Sequence, residues 1–326
     1  MQEVKITALE AGQRFDKMLA KYLNKAPKSF LYKMLRKKNI TLNDKKASGN
    51  EIIREGDIIK LFLADETIGK FSGVQIVYTN CELDIIFENE DVLIINKPVG
   101  MLSQKAKETD ESMVEHVISY LLRTKEISEQ TLATFRPSIC NRLDRNTSGL
   151  ITAGKTLAGL QELNQLFKDR RIEKYYLCLV VGSVKEKQRI KGYLHKNKTN
   201  NRVTVTSEEQ PGSAAIETEY DPIAVADDNV TLLRVHLITG KTHQIRAHLS
   251  ASGFPLIGDY KYGDRSVNQR FYKAYGVESQ LLHAHTLKFP DCQGVLKPLS
   301  GLTFQAELPD VFKRICQERG LGYGQK

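Results

Sequence analysis

RVTVTS (residues 202–207), AIETEYDPI (215–223) and NVTLLRVHLI (229–238) are three runs in which β-branched and other apolar residues recur with a period near two. An extended chain turns successive side chains to opposite faces, so this spacing predicts strands with one face toward a core. The short intervals between the runs predict antiparallel neighbours, because a parallel pair needs a long crossover. Just upstream, KYYLCLVVG (174–182) reads as another strand. KTLAGLQELNQLFKDRR (155–171) reads as a helix with Leu157, Leu160, Leu163 and Phe167 as its apolar stripe.

Further toward the N-terminus, LDIIFENEDVLIINKPVGM (83–101) gives two apolar strands around an acidic turn, Glu88 to Asp91. A helix follows from Asp110 to Leu122, with Met113, Val117, Tyr120 and Leu121 on one face. Many strands and few helices predict an α+β domain over residues 82–326, built on a large mixed, mainly antiparallel sheet.

The first 63 residues have a different character. They carry fourteen Lys and Arg against seven Asp and Glu, most of the chain's net charge of +9. GQRFDKMLAKYL (12–23) reads as an amphipathic helix with Phe15, Met18, Leu19 and Leu23 on its apolar face. SFLYKMLRKKN (29–39) reads as a second, opened by Pro27 and Ser29, with Phe30, Leu31, Met34 and Leu35 inward. ITLNDKKA (40–47) turns at Asn43-Asp44, and EIIREGDIIKLFL (51–63) reads as two short strands broken at Glu55-Gly56-Asp57. Eight basic residues lie between Lys25 and Lys46 against one acid, Asp44, a balance suited to phosphates. Residues 64–81 lack a clear period and read as a linker between a domain at 12–63 and the larger one.

At 41% apolar and 27% charged residues the composition is that of an ordinary globular protein. No run reaches the ~18 apolar residues of a membrane span, and no signal-peptide core opens the chain, so a cytoplasmic protein without membrane contact is expected. The five cysteines form no CxxC pair and are expected to be reduced and mostly buried. No HExxH, GxGxxG or GxxxxGK[ST] occurs, so neither a metal nor a nucleotide cofactor is expected.

Two polar clusters carry the chemistry. NRLDRNTSGL (141–150) sets Asp144 between Arg142 and Arg145 ahead of a small-residue turn. Taken alone it fits a surface turn whose exposed ion pairs contribute about 0–1 kcal/mol. It also fits an active-site loop in which arginines keep an acid ionised. TGKTHQIRAHLSASG (239–253) reads as a strand end, a glycine turn and a helix closed by Gly253. Ile245 and Leu249 would face inward. Thr242, His243, Arg246 and Ser250 would share a neighbouring face, a cradle for an oxyanion or phosphate.

NRLDRNTSGL, KYYLCLVVG, GKTHQIRAHLSASGFPLIGDYKYG (240–263) and LHAHTLKFP (282–290), in this order and spacing, resemble the RluA family of RNA pseudouridine synthases. The basic N-terminal stretch resembles the S4 RNA-binding domain that many large-subunit rRNA members carry. The resemblance implies a pseudouridine synthase fold preceded by a small α/β S4-like domain. It implies Asp144 as the catalytic carboxylate, Tyr176 as the active-site tyrosine and Arg246 as the partner of Asp144. Arg142 and Arg145 would lie near bound RNA, with Thr242 and His243 beside them and Lys28, Lys33, Arg36 and Lys37 as contacts from the N-terminal domain. The family works without metal or cofactor, and the chain is expected to act as a monomer on RNA.

Two positions depart from the family pattern. Asn141 stands where histidine usually begins the first motif, and altered RNA contacts are expected from it. Leu102-Ser103-Gln104-Lys105 stands where a His-Pro pair is frequent, which bears on substrate identity. The leading expectation is isomerisation of specific uridines in structured RNA, with 23S-type large-subunit rRNA ahead of tRNA. A non-catalytic RNA-binding assembly factor is the alternative from another class, though it would need neither Asp144, Tyr176 nor Arg246. A metal-dependent hydrolase built on His243, His283 and His285 is the third.

Overall fold

The structure, a computed structural model, describes residues 1–73, 76–80, 82–197 and 202–322. The N-terminal part runs β1 (Gln2–Lys5), α1 (Phe15–Tyr22), α2 (Lys28–Arg36), β2 (Ile40–Leu42), β3 (Lys45–Lys46), β4 (Ile58–Leu61) and α3 (Asp65–Phe71). Its four strands pair in the order β1-β4-β2-β3. The apolar faces read from the sequence meet here: Phe15, Met18, Leu19 and Leu23 pack with Leu31 and Leu35 against Ile40, Ile59 and Leu61. Asn43 and Asp44 both adopt positive φ, 49° and 60°, the backbone a two-residue hairpin with right-handed strand twist requires.

Three features differ from the sequence reading. β1 lies ahead of residue 12 and forms an edge of the sheet. Residues 51–54 do not form a strand beyond a single bridge from Ile52 to Arg14. Their backbone is committed to α1 instead: the Phe15 N–H donates to Glu51 O and the Asp16 N–H to Gly49 O, each at 2.8 Å. Helix starts leave N–H groups without partners, and Arg14 at the N-cap supplies no side-chain acceptor, so this segment satisfies them. The stretch read as linker contains α3, whose Ile68 and Phe71 pack on the same core, with the Phe71 ring 4.7 Å from that of Phe30.

The larger part begins with β5 (Ile85–Glu88), β6 (Val92–Lys97), α4 (Met113–Arg123), α5 (Glu129–Thr134), β7 (Ser138–Ile139), β8 (Ser148–Gly154) and α6 (Leu157–Lys168). It continues through β9 (Glu173–Val181), β10 (Gln188–Lys196), β11 (Val203–Thr206), β12 (Ala214–Ala226), β13 (Val230–Leu237) and α7 (Gln244–Ala251). It closes with α8 (Arg265–Tyr275), β14 (Leu282–Lys288), β15 (Thr303–Gln305) and α9 (Asp310–Glu318). One 11-stranded sheet results, in the order β11-β10-β12-β13-β9-β14-β8-β6-β5, with β15 added to β14 and β7 to β8. β8 and β14 are parallel and the other pairs antiparallel, so this is the mixed, mainly antiparallel α+β sheet expected.

β9 shows how the period of two builds the centre. Tyr176, Cys178 and Val180 pack on one side with Val235, Leu282 and Leu249. Leu177 and Leu179 pack on the other with Phe271 and Phe312. At the other half of the sheet, α4 covers Leu93, Ile95 and Ile151, while α6 covers Val92, Ile94 and Leu150. Gly149 has φ +108°, and a Cβ there would collide with the backbone carbonyl of Ala284 on β14, so only glycine lets β8 approach its parallel neighbour.

The two parts touch. The Leu157 N–H donates to Leu9 O at 3.0 Å. The buried Gln13 amide donates to Thr134 O at 3.3 Å. No helix among the described residues is long and apolar enough to cross a membrane. Cys178, Cys292 and Cys316 are buried and Cys140 partly so, all as free thiols, while Cys81 lies outside the described residues.

Candidate active site

The loop between β7 and β8 carries Asp144 and is clamped on both sides of it. On one side, the buried Ser103 hydroxyl donates to Leu143 O (2.7 Å) and accepts the Leu143 N–H (3.0 Å). On the other, the fully buried Lys97 ammonium donates to Pro98 O (2.8 Å), Met101 O (2.9 Å) and Arg145 O (3.1 Å). Burial pulls the Lys97 amine down to about 8, against the opposing pull of the Asp144 charge. Arg145 Nε also donates to Gly100 O at 3.0 Å, and the Gly100 N–H returns to Arg145 O at 3.1 Å. Residues 143 and 145 are thereby fixed and Asp144 is presented between them.

Arg246 reaches Asp144 from α7, its Nη1 donating to Oδ2 at 2.9 Å. Its other two nitrogens form a parallel pair of bonds with Asp259, Nε to Oδ2 at 2.7 Å and Nη2 to Oδ1 at 2.9 Å. Asp259 is fully buried, and its Oδ1 also accepts the N–H groups of Lys261 and Tyr262. Burial alone would raise the Asp259 carboxyl, but the hydrogen bonds and charge of Arg246 hold it below its usual value. Arg246 is raised in turn: two carboxylates outweigh its own desolvation. Asp144 Oδ1 has no hydrogen-bond partner among the described residues, and the side chain is 26% exposed in the lining of a cleft.

His243 approaches Asp144 with Nε2 3.9 Å from Oδ2, and its Nδ1 lies 2.9 Å from the Tyr262 hydroxyl. Burial lowers the His243 imidazole, so it stays neutral to lower pH than a free histidine. His243 has φ 52° and precedes the helix, so Thr242 and His243 enter the cleft from the turn and not from a helix face. Ser250, expected on the same face, instead donates to Tyr262 O at 2.7 Å. The cradle read from the sequence is therefore divided: Arg246 points to the two aspartates, and Ser250 is structural.

These groups open on a cleft of about 810 Å³ whose lining includes Arg142, Asp144, Arg145, Tyr176, Thr242, His243 and Arg246. Tyr176 stands on its floor, and burial together with the nearby Asp144 charge pushes its hydroxyl well above the usual tyrosine range. Tyr175 points to the opposite face and stacks on His236, with ring centroids 4.6 Å apart. Lys105, Arg170, Lys174, Lys196 and Lys241 add to the positive rim. Lys28, Lys33, Arg36 and Lys37 are exposed on α2 and just beyond it and are not part of the lining of this cleft. Lys33 and Arg36 line a second concavity of about 600 Å³ with Tyr32 and Lys46.

Asn141 lines the cleft and is bonded within the protein. Its Oδ1 accepts the Thr152 N–H (2.7 Å) and hydroxyl (3.1 Å), and its Nδ2 donates to Leu150 O (3.1 Å). The amide ties the loop to β8, leaving one N–H for any other contact. His283 lies between Ser148 Oγ (2.8 Å) and Ala306 O (3.1 Å), fully buried in the sheet. No cluster of three or more metal-ligating side chains occurs among the described residues. Asp259, Lys97, Ser103 and Tyr262 all fell within quoted or noted stretches, but nothing local marks them as neighbours of Asp144.

The profile of the RNA pseudouridylate synthase family matches residues 91–251. Over 316 residues the chain is 30% identical to an uncharacterized RNA pseudouridine synthase of Mycoplasma genitalium, covering 94% of this chain and 96% of that one. It is also 30% identical to ribosomal large subunit pseudouridine synthase C of Escherichia coli O157:H7, covering 97% and 95%. Among solved structures it resembles human RNA pseudouridylate synthase domain containing 4, with a TM-score of 0.58, 19% identity, and 72% and 92% of the two chains covered.

Proposed function

The chain belongs to the RluA family of RNA pseudouridine synthases, and from this and the cleft we propose that Asp144 is the carboxylate that isomerises uridines of large-subunit rRNA. The observation that carries this is the pairing of Asp144 with Arg246 beside Tyr176, within a positively charged cleft. In the reaction the bond from C1′ to N1 breaks and one from C1′ to C5 forms. C5 loses a proton and N1 gains one. A carboxylate next to the sugar serves this as a nucleophile or as a base. Asp144 Oδ1 is the atom available for it, since Oδ2 is held by Arg246. Tyr176 offers a ring face to the uracil and a hydroxyl for proton movement. The rim lysines and arginines supply phosphate contacts, and an exposed arginine such as Arg142 can fill the gap left when the uridine leaves its stack.

We further propose that the N-terminal part, residues 12–63 with β1 in its sheet, is an S4-like RNA-binding domain. None of the eight basic side chains from Lys25 to Lys46 has an acidic partner among the described residues, which leaves them for phosphates. The names of the relatives support ribosomal RNA as substrate. The test is to map pseudouridines in rRNA and tRNA from cells with and without the gene. Loss confined to large-subunit rRNA is expected. Loss confined to tRNA would move the substrate, and an unchanged map would sink the reading.

A further inference from the structure

The walls of the cleft contain six buried polar side chains: Ser103, Thr147, Tyr176, Gln244, Arg246 and Gln280. Most are already committed. Ser103 holds Leu143 through its donor and its acceptor. Gln244 donates to Glu217 O and Thr218 Oγ1, and accepts from Thr239 and the Lys241 N–H. Arg246 is divided between two aspartates. Gln280 differs. It is 6% exposed, its Nε2 donates once, to Thr147 Oγ1 at 3.2 Å, and its Oε1 has no partner among the described residues. Its amide oxygen reaches the solvent of the cleft and is open to a ligand, unlike a fully buried acceptor, whose lack of a partner would cost stability.

The position of Gln280 relates it to the chemistry. It stands two residues ahead of β14, where the Leu282 N–H folds back to Gln280 O at 2.9 Å, and it lines the cleft together with Leu282 and Tyr176. Thr147, which braces it, closes the turn of the aspartate loop through its N–H to Asp144 O at 3.0 Å.

We infer that Gln280 is the base-reading group of this cleft, pairing its carboxamide with the imide edge of the target uracil. This rests on Asp144 being the reacting carboxylate. Uracil presents an acceptor, a donor and an acceptor in a row: O2, N3–H and O4. A carboxamide matches two of them, its oxygen taking N3–H and its nitrogen donating to a flanking carbonyl. Cytosine offers no N3–H and is excluded.

The same contact suits the rearrangement. To exchange N1 for C5 at the sugar, the detached ring turns by half a revolution about the axis through C6 and N3. That turn exchanges O2 with O4 and leaves N3–H where it was. A carboxamide facing N3 therefore makes an equivalent pair of hydrogen bonds before and after the turn. It holds the base on its axis without opposing the rotation.

The test uses the full-length protein and a synthetic RNA hairpin carrying a mapped target uridine, beside the same hairpin with 3-methyluridine at that position. The wild type should turn over the methylated hairpin about 100-fold more slowly or worse, since a site built for a hydrogen bond rejects an analogue lacking it. Gln280→Leu should lose about 10-fold or more in kcat/KM on uridine, and its ratio between the two hairpins should shrink toward the steric cost of the methyl group alone. Gln280→Glu, with thermal melting of both variants, separates this from misfolding: its carboxylate still accepts N3–H but cannot donate to a flanking carbonyl, so it should fold, turn over uridine more slowly than wild type and keep the discrimination that Gln280→Leu loses. An unchanged ratio in a folded Gln280→Leu protein overturns the inference. Activity of that protein equal to wild type does so as well. Absence of turnover by the wild type on every uridine-containing RNA would overturn the reading of Asp144 instead, and is separately visible.

Discussion

Arg246 and Asp259 form a buried bidentate pair, and it is this pair that aims the remaining guanidinium nitrogen at Asp144. The second acid balances the arginine and fixes its plane, so Asp144 meets a positive group whose direction does not depend on RNA.

Because Arg246 is held independently, Asp144→Asn should leave the site's shape intact. Turnover should fall more than about 1000-fold while RNA affinity stays within a few-fold. Release of tritium from RNA labelled at uridine C5 measures the first, and filter binding the second. Retained tritium release would refute the assignment of Asp144.

Asp259→Asn should act on both stability and rate. Breaking a buried charge pair costs on the order of 3 kcal/mol, and a freed arginine should lower kcat about 100-fold with KM changed much less. Thermal melting and steady-state kinetics read the two effects. Wild-type kcat in a destabilised protein would show that Asp259 serves folding only.

Changing Lys28, Lys33, Arg36 and Lys37 together to glutamine should weaken binding evenly across RNA sequences. It should also reduce the slope of log affinity against log salt by about 2–4. Point changes are preferable to removing residues 1–63, because Leu9 and Gln13 bond to the larger domain and deletion would expose that contact. An unchanged slope would show that α2 does not meet phosphates.

Acid should unfold the protein earlier than its carboxylates require. Burial lowers His248 and His283 from 6.5 to about 4, so between these values the unfolded chain takes up protons that the folded one refuses. Stability is then full above 6.5 and falls as pH drops through this window, by on the order of 3 kcal/mol for each histidine at its lower end. Melting curves from pH 7 to 4 should show the decline, and His283→Asn should flatten it.

Much of this was legible in the chain. The alternation in β9, β12 and β13 foretold the sheet, and the four separated motifs pointed to Asp144, Tyr176 and Arg246, which the fold brings to one cleft. β10 escaped because QRIKGYLHK is mostly polar, with only Gly192 and Leu194 buried. α3 is short, and periodicity over two turns says little. Asp259 lay inside a quoted motif, yet its partner is thirteen residues away across a helix end and a loop. That the Asn141 amide is bonded to β8 could not be read from the sequence, because its partners Leu150 and Thr152 are set by the fold.

The clamps on Leu143 and Arg145 have a thermodynamic consequence. Ser103 and Lys97 restrict the aspartate loop as the protein folds, so its conformational entropy is lost then and not on each encounter with RNA. The ordering that remains for the bound state falls on the nucleic acid, whose uridine must be drawn from its stack. The heat and entropy of binding should therefore report chiefly on the softness of the RNA around the target. A loosely stacked uridine will be favoured over a rigid one even where the protein contacts are the same.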